Sequence, residues 1–81
     1  VYISFDIDGL DPKLCPNTGT PVPGGFETAQ IFYLLKLLHA SGREIIGFDL
    51  NEVSPSAGEH ETIDSIVGAR MLYKLCNYMV A

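Results

Sequence analysis

Three carboxylates fall within six positions in Phe5-Asp6-Ile7-Asp8-Gly9-Leu10-Asp11-Pro12, directly after the apolar run Val1-Tyr2-Ile3. In a strand alternate side chains share a face, so Asp6 and Asp8 would point one way and Phe5 and Ile7 the other. Two like charges at the end of a buried strand repel each other and lose hydration, which is costly unless a cation lies between them. The pattern predicts a divalent-metal site at the C-terminal end of a strand. Paired carboxylates suit hard, oxygen-preferring cations such as Mn²⁺ or Mg²⁺ better than zinc, which favours His and Cys. A bare Asp-x-Asp more often marks a solvated turn or a helix cap, and it is the apolar strand ahead of it that favours metal here. Asp11, just before Pro12, is placed to fix the turn or to support the site from behind, not to bind metal directly.

A second acidic cluster, Asp49 and Glu52, follows another apolar run, Ile45-Ile46-Gly47-Phe48. The elements that must position both clusters can be read from the punctuation around them. Residues 1–7 and 44–51 read as strands, and their near-continuous apolar character predicts burial on both faces of a parallel sheet. Residues 9–25 hold Pro12, Pro16, Pro21 and Pro23 with Gly9, Gly19, Gly24 and Gly25, so they form a loop that the prolines stiffen into a fixed wall. Residues 27–41 predict a helix that starts at Glu27 or Thr28, with Gln30 reaching back to the first free amides and Gly42 ending it. Its buried stripe is Ile31, Leu34, Leu35 and Leu38.

After a loop over 53–61, residues 62–78 predict a second helix. Thr62 would cap it, and Glu59, Glu61 and Asp64 would favour its dipole. Its apolar face is Ile63, Ile66, Val67, Leu72, Leu75, Cys76 and Met79. The order strand–helix–strand–helix predicts an α/β fold built on a right-handed βαβ unit. Sites in such sheets lie at the carboxyl ends of the strands, where both acidic clusters fall.

Eighty-one residues allow at most one small domain, and 47% hydrophobic content excludes a disordered segment. The chain has no initiator Met and opens inside a strand run, so it is expected to be a piece of something larger. Two strands are too few for a stable sheet, and the isolated piece is expected to be marginal or prone to aggregate. Five basic against ten acidic residues give a net charge of −5, which argues against nucleic acid or an anionic membrane as partner. No apolar run approaches the ~20 residues of a membrane span. Cys15 and Cys76 lack metal-type spacing and read as two reduced thiols of a cytoplasmic protein, with a disulfide between them as the alternative. Cys15, in the loop beside the acids, reads as an ordinary loop cysteine, with a reactive or metal-inhibited thiol as the alternative. His39 suits a helix C-terminus, and His60 lies in a polar loop. The four tyrosines read as packing residues.

The segments Ser4-Phe5-Asp6-Ile7-Asp8-Gly9-Leu10-Asp11-Pro12 and Pro16-Asn17-Thr18-Gly19-Thr20-Pro21-Val22-Pro23-Gly24-Gly25 resemble the ureohydrolases: arginase, agmatinase and relatives. Gly47-Phe48-Asp49-Leu50-Asn51-Glu52-Val53-Ser54-Pro55 resembles the second signature of that family, in the same order. The resemblance covers essentially all 81 residues and makes them the C-terminal part of one domain of three-layer α/β/α architecture, with the His-containing metal motifs upstream. It implies hydrolysis of a guanidinium group at two Mn²⁺ ions, with Asp6 and Asp8 as metal ligands, one of them bridging. Glu52 would pair with the small guanidinium substrate, and Thr20 would lie near the site on the substrate side. It also implies a homo-oligomer, a trimer or hexamer. Arginase is the first choice within the family, agmatinase the second and formimidoylglutamase the third.

The residue types suit that chemistry. A guanidinium is a resonance-stabilised cation, so its attacker must be hydroxide, which two close cations can supply at neutral pH. Glu52 offers the planar partner that a guanidinium fork favours, with an exposed loop acid as the bland alternative. Asp49 is either a supporting or a capping acid. Two rivals stand beside this reading. One is a non-catalytic module or pseudo-enzyme, which the 81 residues would be if they stood alone. The other is a phosphoryl-transfer domain with Mg²⁺ on Asp-x-Asp, although the Thr-Gly-Thr-Pro loop does not resemble a phosphate cradle.

Overall fold

The computed structural model describes residues 1–54 and 62–80. Strand β1 (Tyr2–Asp6) and strand β2 (Gly47–Asn51) pair in parallel, with Tyr2 opposite Gly47 and Asp6 opposite Asn51. Helix α1 (Thr28–Ala40) connects them and helix α2 (Ile63–Val80) follows, so the chain has the expected α/β order. Both strands are shorter than the apolar runs that announced them. Ile7–Gly9 turns into one round of 3₁₀ helix, and Ile45 and Ile46 lie ahead of β2. The expected features at Pro55, Gly58, Glu59, His60 and Glu61 lie outside the described residues.

Among the described residues, the helices cover one face of the strands. Their side chains alternate: Ile3, Phe5, Phe48 and Leu50 pack toward the helices, while Tyr2, Ser4 and Asp6 on β1 and Asp49 and Asn51 on β2 share the other face. The runs read as continuous because Tyr2 counts as apolar, yet its hydroxyl is spent on Asp49. One sheet layer and one helix layer are therefore present among the described residues.

The buried core joins three sources: Ile31 and Leu35 of α1, Met71 and Leu75 of α2, and Ile7, Leu10 and Cys15 from the turn and loop after β1. Burying each Leu or Ile side chain stabilises by roughly 1.5–3 kcal/mol. The loop is thus part of the core, not a cover over it. Helix α1 begins as the sequence predicts, with the Gln30 side chain accepting the Glu27 N–H at 2.8 Å. It ends at Gly42, whose φ of 80° is the left-handed conformation that glycine adopts freely. Leu34, expected inside, is half exposed, and Phe32 packs on the core instead.

Helix α2 departs further from expectation. Thr62 caps it, its hydroxyl accepting the Ser65 N–H at 3.1 Å. The buried positions are Asp64, Gly68, Met71 and Leu75, while Ile63, Ile66, Leu72, Cys76 and Met79 are exposed. Gly68 explains the shift. A Cβ there would lie 3.2 Å from Leu50 and 3.2 Å from Val53, so the helix packs on β2 through its smallest residue. His39 packs its ring on Tyr78 of α2 at 5.4 Å, and Lys74 lies over Phe32 at 5.2 Å, tying the two helices together.

Candidate metal and substrate site

Asp6 ends β1, and Asp8 follows within the 3₁₀ turn. Strand alternation therefore does not relate the two carboxylates, contrary to the sequence argument. What relates them is Ile7, which is fully buried and anchors the turn while the residues on either side of it reach solvent. The parallel register sets Asp6 beside Asn51, and Glu52 comes next along β2. The two acidic clusters thus meet at one end of the sheet, as the strand-end rule requires.

Glu52 is exposed, and its backbone has φ of 69°. It is the one non-glycine residue in the left-handed region among the described residues. Such a conformation costs on the order of 1–3 kcal/mol and persists where the surroundings impose it, often at functional sites. Here the chain must leave β2 abruptly, and Glu52 sits on the corner.

The 9–25 loop closes over Asp8. Thr20 donates its hydroxyl proton to Asp8 Oδ2, joining two residues the sequence had set in the site separately. The loop is held by backbone bonds from Phe26 N–H to Gly9 O and from Asp11 N–H to Phe26 O, both 2.9 Å. Asp11 accepts the Lys13 N–H at 3.0 Å and the Gly24 N–H at 3.3 Å, which is the turn-fixing role foreseen for it. The ion pair of Lys13 with Glu27, 2.6 Å long and exposed, ties the loop to the start of α1.

Asp49 is a node of the sheet's polar face. It accepts hydrogen bonds from Tyr2 Oη and Ser4 Oγ, each at 2.8 Å, and from the Asn51 amide. These donors, the Ser4 hydroxyl foremost and then Tyr2, hold its carboxyl below the usual range. The same bond raises the Tyr2 phenol, because losing its proton would place two negative charges together. Asp49 thus ties β1 to β2 on this face and caps no helix.

Cys15 is fully buried, its thiol near the carbonyls of Leu10 and Asp11 at 3.7 Å. Burial first, and then the charges of Asp64, Asp8 and Asp11, push the thiol up. A reactive cysteine needs the opposite surroundings, so the reactive-thiol alternative is set aside. Sequence reasoning also missed what Asp64 does. It is fully buried, and its Oδ1 accepts the Asn17 N–H at 3.1 Å, tying the loop to α2.

The donor set at the strand ends consists of carboxylate oxygens, which fits a hard divalent cation and not zinc. No three His, Cys, Asp or Glu side chains converge as a metal cage among the described residues. A groove of about 540 Å³ lined by Phe32, Ile66, Arg70, Tyr73 and Lys74 lies on the helices and contains none of these acids. No helix among the described residues is long and apolar enough to cross a membrane.

A parallel two-stranded sheet backed by helices, with acids at one end and a proline-rich loop meeting Asp8 there, defines an α/β chain. The sequence profile of the arginase family matches residues 1–77, and the chain belongs to that family. It is 46% identical over 71 residues to an agmatinase of Chromobacterium violaceum, a match that covers 88% of this chain and 21% of the relative. It is 38% identical over 82 residues to arginase-1 of Oryctolagus cuniculus, covering 100% of this chain and 25% of the relative. The solved structure of proclavaminate amidinohydrolase from Streptomyces clavuligerus superposes with a TM-score of 0.81 at 37% identity, over 98% of this chain and 25% of that one. The chain spans between about a fifth and a quarter of the length of the curated relatives it matches.

Proposed function

We propose that this chain is the C-terminal part of a binuclear-manganese ureohydrolase of the cytoplasm, which hydrolyses the guanidinium or amidino group of a small linear substrate. Arginine is the first substrate to test, agmatine the second and formimidoylglutamate the third. The observation that supports this reading is the register: Asp6 pairs with Asn51, so the acids of β1 and Glu52 leave the sheet side by side. The two free cysteines suit a reducing compartment.

Asp6 and Asp8 would hold the metal from this chain, and their negative charge would offset part of its positive charge. When bound, the cations supply hydroxide chemistry at neutral pH. The Thr20 hydroxyl fixes one oxygen of Asp8 and so orients the carboxylate. Glu52 faces solvent on its corner, where a carboxylate can take a guanidinium fork through two parallel N–H···O bonds. That grip aims the guanidinium carbon and contributes by positioning. For arginine, a C–O bond forms at that carbon, the C–N bond to the alkyl amine breaks, the amine leaves with a proton, and urea departs.

The test is urea release by the complete protein loaded with Mn²⁺, with arginine and agmatine offered separately. Urea from one of them is expected, and no urea from either together with no hydrolysis of formimidoylglutamate would overturn the reading. Glu52→Gln should keep its metal and lose roughly 10–100-fold in kcat/KM, the value of a hydrogen bond to a charged group. Unchanged turnover would remove Glu52 from the substrate role. The 81 residues by themselves should hydrolyse nothing, because their described ligands are a partial set.

A further inference from the structure

Asp64 is the buried charge that the site described so far does not use. It lies in the first turn of α2, fully buried, and its Oδ2 has no partner among the described residues. A helix-dipole role would leave it at the surface, where an acid in a first turn is hydrated. A buried carboxylate with one orphaned oxygen is destabilising, and an apolar residue of the same shape would remove that cost. What Asp64 does in return is specific: Oδ1 accepts the backbone N–H of Asn17, 47 positions away in the sequence.

That bond falls at a critical place in the loop. The Asn17 side belongs to a series of turns in which Leu14 N–H meets Asp11 O, Cys15 N–H meets Pro12 O, and Thr18 N–H meets Cys15 O. Cys15 and Thr18, on either side of Asn17, are both buried. Past Thr18 only Gly19 intervenes before Thr20, and a Cβ on Gly19 would touch nothing within 4 Å. Between the Asp64 anchor at Asn17 and the hydroxyl that meets Asp8, only the buried Thr18 packs, and Gly19 adds nothing.

We propose that Asp64 is a positioning residue for the strand-end site: by holding Asn17 it fixes where Thr20 meets Asp8, and it acts through Thr20 alone. This rests on the hydrolase reading for its effect on turnover, but not for its effect on the loop. It predicts that an isosteric apolar side chain spares the fold yet loosens the loop, and that an amide, which keeps an acceptor oxygen, restores it.

The experiment compares Asp64→Leu, Asp64→Asn, Thr20→Val and the double variant Asp64→Leu/Thr20→Val in the complete Mn²⁺-loaded protein. Hydrogen exchange of the peptide spanning residues 15–20 is read by mass spectrometry, and kcat and KM are read by urea release. Exchange in that peptide should be protected in the wild type and rise about tenfold or more in Asp64→Leu, as expected for loss of one anchoring bond. Turnover should fall about tenfold in Asp64→Leu with little change in KM, the double variant should match Thr20→Val within about twofold, and Asp64→Asn should recover both readouts within about threefold. Wild-type exchange as fast as an unstructured peptide, no change in exchange in Asp64→Leu, or losses that multiply in the double variant would each overturn the proposal. The wild-type exchange measurement decides it even if Asp64→Leu does not fold. A protein that releases no urea from arginine or agmatine and does not hydrolyse formimidoylglutamate would fail the hydrolase reading, while the exchange arm would still judge the role of Asp64.

Discussion

Replacing Gly25 by Ala should disturb the site without touching any of its acids. An added Cβ at Gly25 would lie 2.7 Å from the Leu10 carbonyl carbon and 2.8 Å from both Gly9 O and Leu10 O. All three atoms are backbone, so no side chain can rotate away, and the main chain itself must yield. Gly9 and Leu10 directly follow Asp8, and Phe26 N–H bonds Gly9 O from the residue after Gly25. Over-packing of this kind costs about 1–3 kcal/mol. The shift per kcal/mol falls with chain length and is already only roughly 2–4 °C at 150–250 residues, so the complete protein, four to five times as long as this chain by its relatives, should lose less than about 12 °C in Tm. Gly19→Ala is the matched control, since it lies in the same loop and its Cβ would meet nothing within 4 Å. Thermal unfolding of the two variants and the wild type, followed by fluorescence, makes the comparison. A Gly25→Ala protein that melts with Gly19→Ala would refute the claim that this loop is a rigid wall built on backbone contact.

Cys15 should resist brief alkylation in the native protein by at least about tenfold relative to the denatured protein, because its thiol is buried and held protonated. Equal labelling in both states would mean that the loop opens freely. Asp49 gives a pH signature: its carboxyl is held below the ordinary value of 3.8, so its contribution is present above that value and lost as the pH falls through the lower one. The Tm gap between wild type and Asp49→Asn should therefore be constant at pH well above 3.8 and narrow as the pH is lowered below it, and a gap that does not narrow there would contradict it. The 81 residues expressed alone should show no cooperative melting as a monomer, since a two-stranded sheet is marginal and Leu34, Leu37, Ile63, Ile66 and Tyr73 stay exposed. A sharp, reversible thermal transition of the monomer would sink that expectation.

The element order was legible because punctuation is local. Gly42 ends α1, Gln30 starts it, and Thr62 starts α2, each through bonds within a few residues. Residues 9–25 were legible as a loop because proline removes amide donors and fixes φ, and proline with glycine interrupts helix and strand patterns. Faces were less legible. The α2 stripe was read from apolar side chains, whereas the packed face is centred on Gly68 and includes Asp64, residue types that hydropathy scores against burial. The two-sided burial expected of β1 leaned on Tyr2, whose ring counts as apolar while its hydroxyl serves Asp49. The Asp6–Asp8 relation was right in place and wrong in cause, because the strand stops at Asp6 and Ile7 turns the chain. Contacts such as Asn17 to Asp64 join residues 47 apart, and no pattern within either segment announces them.

The account rests on Asp8 as a metal ligand held by Thr20 at the end of β1. The most direct measurement is the manganese content of the complete protein and its Asp8→Ala variant after equilibrium dialysis, read by elemental analysis. The wild type should retain two Mn²⁺ per chain, and Asp8→Ala should retain measurably less under the same conditions. Equal manganese stoichiometry in the two proteins would remove Asp8 from the ligand set and contradict the account.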